Sequence, residues 1–248
     1  MAVMAGTWTP LFIAVESQNV EQTLLLLQAG VNVRELGGNP NWTPLRMAVN
    51  RENANLVDLL CRYGADPKQL IEGHATLLHL NTYQWMGMGG DLQPETERRL
   101  TDVARQLIHH GVDVSARENR GLTALQMAAR NCHVEMVGVM LDCQDVDPEQ
   151  RATDGLGTQT DGQTAEEMVT HLLAAKLALA TPENIALDIN RQGDIDASRE
   201  ILAMLRAEPE RRRERRVAFA MALIPRLGVA SPVKALDPEM VRMVLQTP

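Results

Sequence analysis

Histidine, cysteine and closely spaced carboxylates are the side chains that most often carry catalysis or hold a metal. This chain of 248 residues offers six histidines (His74, His79, His109, His110, His133 and His171) and three cysteines (Cys61, Cys132 and Cys143). No two histidines flank a glutamate at the His-Glu-x-x-His spacing that puts both on one helix face toward zinc. No cysteine pair has the two-residue spacing of a zinc or redox site, and an odd count closes no disulfide framework. The sequence lacks a Gly-x-Ser-x-Gly elbow, and GMGGD (residues 87–91) lacks the Lys and Ser/Thr of a phosphate-cradling loop. The residues therefore predict no catalytic site, no metal and no cofactor. His133 reads as a structural histidine.

The more informative signal is positional. TPLFIAV begins at Thr9, TPLRMAV at Thr43, TLLHLNT at Thr76, TALQMAA at Thr123 and a weaker TAEEMVT at Thr164. A second landmark keeps the same phase: QAGVNV at 28–33, RYGADP at 62–67 and HHGVDV at 109–114, each preceded by a leucine-rich run. Self-similarity at a spacing of 34 and 33 residues is the mark of a stacked repeat. Within a unit, Thr opens a short helix, with Pro at its first turn in the first two copies. Small residues (Ala14, Ala48, Ala128 and Ala129) allow close helix approach. A second helix carries Leu56, Leu59 and Leu60 at helical spacing. Gly30, Gly64 and Gly111 stand where a helix end takes left-handed backbone, and Asn32, Asp66 and Asp113 begin an extended turn.

These residues resemble the ankyrin repeat family, over roughly residues 6–205 in five units near 6–38, 39–71, 72–116, 117–152 and 160–205. The fourth unit is the nearest to the pattern, with Gly121, Thr123, Leu125, Ala128, Ala129, His133, Glu135 and Val137 in phase. The histidine of the family's helix start is replaced by Phe12, Arg46 and Gln126 and survives as His79. The fold expected is all-α, a solenoid of about five helix-turn-helix units with a helical C-terminal extension. Irregular intervals place an insertion between Tyr83 and Leu100, containing Trp85, Met86 and Met88. Another falls in PEQRATDGLGTQT between the fourth and fifth units. In the fifth, AAKLALATPENIALDIN lengthens the first helix or adds another before Gly193.

The resemblance implies a partner docked along the turns and the open side of the first helices. The positions so marked are Trp8, Asn39, Trp42, Arg51, Glu72, Tyr83, Gln84, Asn119, Arg120, Leu122, Arg130 and Asn131. Trp8 and Trp42 hold the same position in successive units and are expected side by side. Tryptophan supplies large apolar contact area with one polar handle, which suits an interface anchor; the other reading has one or both folded back to cap the first unit.

Beyond Arg206 the pattern changes. EPERRRERRVAFAMALIPRLG reads as a helix from about Glu208 to Ile224, its five arginines at 211–216 interleaved with glutamates and lacking aromatics for base stacking. The last segment resembles the first helix of an F-box, and the short F-box-like tails that close many poxvirus ankyrin proteins, through Leu236, Pro238, Glu239, Met240, Val244 and Leu245. Its proline is displaced by one position. The resemblance implies recruitment of cullin-type ubiquitin ligase components, so that the chain (206–248 being the tail) links a client to a ligase. The competing reading is a simple scaffold or inhibitor whose tail caps the stack; nucleic-acid contact through the arginine-rich helix ranks third. A formal net charge of −8 argues against a polyanion-binding molecule as a whole. The opening MAVMAGTWTPLF lacks a charged start and a long apolar run, and no stretch approaches the roughly 18 apolar residues of a membrane span. The expectation is a monomeric cytoplasmic or nuclear protein with no membrane partner.

Overall fold

The computed structural model describes residues 8–38, 42–83, 94–153, 162–179 and 189–223. The chain divides into two compact units, residues 1–202 and 203–248. In the first, helices come in pairs: α1 (Pro10–Glu16) with α2 (Val20–Gln28), α3 (Pro44–Asn50) with α4 (Ala54–Arg62), α5 (Leu77–Tyr83) with α6 (Pro94–His109), and α7 (Ala124–Arg130) with α8 (Val134–Leu141). Then follow α9 (Ala165–Leu179) and α10 (Ile189–Leu223), the last running on into the second unit. First helices pack in a row, α1 on α3, α3 on α5, α5 on α7 and α7 on α9. Second helices form a parallel row, α2 on α4, α4 on α6 and α6 on α8. Among the described residues there are no strands, only two isolated bridges, Leu70 with Thr76 and Arg117 with Thr123.

Local chemistry explains each pair. The hydroxyls of Thr9, Thr43 and Thr123 accept the N–H three residues on, and Pro10 and Pro44 occupy the first turn, where a missing donor costs nothing. Thr164 does the same for α9. One turn later come Ala14, Ala48, Ala128 and Ala129, all fully buried, so the first helices close on one another without side chains between them. The second helices bury Leu56, Val57 and Leu60 in α4 and Met136, Val137 and Met140 in α8. Leu59, expected in that stripe, sits at its half-exposed edge, and Val57 takes the inner place. Each fully buried side chain of this size contributes about 1.5–3 kcal/mol, and part of that burial depends on the neighbouring unit, so an isolated pair is not expected to be stable.

Gly30, Gly64 and Gly111 end the second helices with φ of +83°, +93° and +79°, as their positions predict. The side chains of Asn32, Asp66 and Asp113 then accept the N–H two residues on, at 3.0, 2.9 and 3.0 Å, folding the turn toward the next unit. Asp147 makes the same bond to the Glu149 N–H at 3.0 Å. The fourth unit thus keeps the turn although its sequence has lost the glycine landmark.

Two expectations are sharpened and one changes. The insertion after Tyr83 is partly helix: residues 94–100 lengthen α6 at its start, because Pro94 and the acids Glu95 and Glu97 suit a first turn. In the fifth unit the alternative of a lengthened first helix is the one seen, Ala165–Leu179, and Gly193 falls inside α10. The arginine-rich helix does not begin at Glu208. It is the continuation of α10 through Pro209, and the buried positions Ile195, Ile201, Leu202 and Leu205 show the helical stripe that precedes it. A proline removes one N–H bond and clashes with the preceding turn, which made this stretch look like a start.

Candidate functional site

The residue three places after each helix-opening threonine varies along the chain; the first four versions reach the following turn, and the fifth reaches back to the preceding one. Phe12 fills the space against Gly37 and Gly38, where an added Cβ would stand 2.6 Å from its ring in either case. Arg46 grips Glu72 with both terminal nitrogens, at 2.9 and 2.7 Å, and lies 4.6 Å from the centroid of the Trp42 ring. His79 accepts the Thr76 N–H at Nδ1 (3.2 Å), leaving Nε2–H to donate to the Leu122 carbonyl (3.0 Å). Gln126 accepts the Thr123 N–H and donates to the carbonyls of Gln150 (2.7 Å) and Gln163 (3.2 Å). Glu167 accepts the Thr164 N–H and pairs with Arg151 at 3.1 Å.

Burial pushes the pKa of His79 down, and it pushes that of His133 down to about 4. Both are fully buried and neutral, in structural places. His110 bonds Asp58 at 2.9 Å and holds that carboxyl below its ordinary pKa, His109 stacks edge-on to His110, and His171 meets Gln163. Burial, with Asp58 and Asp66 nearby, pushes the Cys61 thiol up to about 12. Among the described residues no three His, Cys, Asp or Glu side chains are grouped so as to hold a metal.

The turns form a ladder of short hairpins closed by backbone bonds. The Gly37 N–H donates to Trp42, Ile71 to Ala75, Glu118 to Leu122 and Ala152 to Gln163. Their tips are tied together where the Asn119 N–H meets the Gly73 carbonyl (2.7 Å) and the Thr153 N–H meets that of Gly121 (3.3 Å). The second insertion therefore grows from the tip of one hairpin, between Ala152 and Gln163, and residues 154–161 within it lie outside the described residues. Because successive side chains point to opposite sides of an extended segment, the residues just before Gly37, Ile71, Glu118 and Ala152 share one side. They are Leu36, Leu70, Arg117 and Arg151, and Leu36 and Leu70 are 48% and 59% exposed. The sequence reading missed these four. Their signal was present, a fixed distance of seven or six residues before the helix-opening threonine in the first three junctions, but no repeat landmark marks the position.

The predicted contact residues sort as follows. Trp8 is 52% exposed and packs edge-on against Phe12, ring centres 5.5 Å apart. Trp42 is half-buried beside Arg46. Each indole thus takes its partner from its own unit's helix start. Arg51 pairs with Glu16 of the preceding unit at 2.9 Å, and Glu72 is held by Arg46, which lowers its pKa. Tyr83 donates to Glu118 (3.1 Å) and rests on the cluster Leu122, Met127, Ala152 and Met168; burial, then the Glu118 charge, raises its pKa. Asn119 and Arg120 are exposed at a hairpin tip, Arg130 and Asn131 are half-exposed at the end of α7, and the Asn131 amide donates to the Thr82 carbonyl at 3.5 Å. Leu122 is a correction. It is 2% exposed and belongs to the core, because the hairpin turns its side chain inward between α7 and α9. Asn39, Gln84, Trp85, Met86, Met88 and the tail residues Leu236, Pro238, Glu239, Met240, Val244 and Leu245 lie outside the described residues.

Residues 3–71 match the family model for ankyrin repeats in three copies, and residues 101–141 match that for ankyrin repeats in many copies. These two stretches of the stack match ankyrin repeats. The ankyrin match stops at residue 71 and resumes at 101, and the structure supplies the link: α5 packs between α3 and α7 in the same row. No curated protein matches the chain.

Proposed function

We propose that this ankyrin stack holds a protein client along its hairpin tips and the adjoining ends of its first helices. Ankyrin repeats suggest a protein–protein interaction module, and no described helix is long and apolar enough to cross a membrane. The observation that carries the reading is the exposure of Trp8, Leu36 and Leu70, large apolar side chains on the first two units. Arg51, Glu72, Tyr83, Asn119, Arg120, Arg130 and Asn131 extend the same line with hydrogen-bonding groups, with Asn39 and Gln84 placed on it by sequence. In the finer form of this proposal the chain is a monomeric adaptor of the cytoplasm or nucleus. The segment Leu236–Leu245 then recruits cullin-type ubiquitin ligase components, supported by its likeness to an F-box helix.

Affinity purification of the full chain beside a version ending at Gly228, with mass spectrometry, tests both levels. Ligase components that depart with the tail while other partners stay establish the adaptor. Identical partners without a ligase make it a scaffold or inhibitor with a capped end. Loss of the remaining partners from a Leu36→Ser/Leu70→Ser variant is the expected result for the client surface, and their full retention would overturn it.

A further inference from the structure

The arginines along the client surface are not equivalent. At the first junction Arg51 is neutralised by Glu16, at the second Arg46 by Glu72, and between the fourth and fifth units Arg151 by Glu167. The junction of the third and fourth units differs. Its carboxylate, Glu118, is 4% exposed and turned inward, one oxygen accepting the Tyr83 hydroxyl and the other the Arg120 N–H. Arg120 and Arg130 have no carboxylate within ion-pair distance among the described residues, and both positive charges are felt at the Tyr83 hydroxyl together with the single charge of Glu118. Exposed Arg120 and half-exposed Arg130 thus belong to the same junction as the half-buried Tyr83, in a chain of net charge −8.

Unpaired guanidinium forks beside a phenol match carboxylates, which accept two parallel N–H bonds from each. We infer that the client presents an acidic segment at this junction, its Asp or Glu side chains seated on Arg120 and Arg130 beside Tyr83. The inference rests on the client-surface reading above and adds the chemistry of the ligand. Apolar Leu70 on the preceding hairpin and the net negative charge of the chain favour a polypeptide over a nucleic acid.

The test is selection of a random peptide library displayed on phage against the full chain. Enriched peptides are then synthesised and their binding measured by fluorescence anisotropy to the natural chain and to Arg120→Glu/Arg130→Glu. The expected result is enrichment of peptides with acidic residues, a loss of about tenfold or more in affinity for the double variant, and a matching loss when their acids become Asn or Gln. Arg120→Gln, at an exposed tip, repeats the comparison if the double variant melts early. Peptides that bind both proteins equally, or that carry no acids, overturn the inference and leave the client-surface reading standing. Failure to enrich any peptide counts against both. A single-stranded oligonucleotide that binds more tightly than any peptide, and loses affinity in the variant, reassigns the arginines to nucleic acid and also overturns it.

Discussion

At the residue scale, the position three after each opening threonine shows how one place in a repeat can be filled by different chemistry. A phenyl ring, a guanidinium, an imidazole, an amide and a carboxylate stand there in turn, as Phe12, Arg46, His79, Gln126 and Glu167. The imidazole and the amide make equivalent bonds: each accepts the threonine N–H and donates to a carbonyl of the following turn. They differ in titration. An unfolded histidine takes up a proton near pH 6.5, whereas buried His79 and His133 resist it. The unfolded chain therefore binds more protons below pH 6.5, and stability is complete above that value. It falls as pH drops below 6.5, for His133 down to about 4, by at most about 1.4 kcal/mol per pH unit for each histidine. His79→Gln, copying Gln126, should keep the bonds and remove its share of the slope. Urea melts at pH 7.5 and 5.0 check this; a slope unchanged by the substitution would mean that His79 is not coupled to folding. That the position mattered was visible in the sequence. The partners of the imidazole and the amide were not, because they lie 24 to 43 residues away, in the turn that follows the unit's second helix or beyond it.

At the element scale, the turn joining first to second helix takes left-handed backbone at residues that are not glycine. Gln18, Glu52 and Cys132 have φ of 57°, 53° and 62°, a conformation that costs a side chain about 1–2 kcal/mol. Each also reaches forward: Gln18 accepts the Asn53 amide, Glu52 pairs with Arg99 at 3.1 Å, and the Cys132 thiol lies 3.4 Å from Ser198. The strain is thus set against contact with the next unit, to different extents. Gln18→Gly relieves the backbone and loses one exposed hydrogen bond, so a gain of about 0.5–1 kcal/mol is expected. Glu52→Gly also removes a carboxylate whose side chain is only 16% exposed, so the two effects should nearly cancel. Urea midpoints of the two variants decide it, and an equal gain in both would show that the Arg99 pair contributes nothing.

At the scale of the whole stack, stability is expected to add along nearest-neighbour interfaces, not to come from one central core. Gln126 ties the fourth unit to the fifth through the Gln163 carbonyl and also holds the Gln150 carbonyl of the turn between them. Gln126→Leu removes this partner from the Gln150 carbonyl and the Thr123 N–H, while the Gln163 carbonyl keeps the Ala152 N–H, a loss of about 1–3 kcal/mol. Because the loss falls on one interface, amides of α9 should exchange faster in hydrogen–deuterium measurements while those of α3 and α4 stay protected. Uniform loosening of every helix would instead indicate a single cooperative unit.

The sequence by itself determined the repeat, its helix starts, its small-residue contacts and its glycine-ended helices. All of these are set by backbone chemistry within a few residues: a threonine cap, a proline at the first turn, a left-handed glycine. It could not determine which side chains remain open to a partner. Leu122 and Leu70 look alike in composition, yet one is core and the other 59% exposed, since hairpin alternation and the next unit's packing decide between them. Nor could it show that Arg46 and Arg51 are neutralised while Arg120 and Arg130 are not. Charge pairing here runs between units, over separations of 26 and 35 residues where it occurs, and only stacking brings those groups within reach.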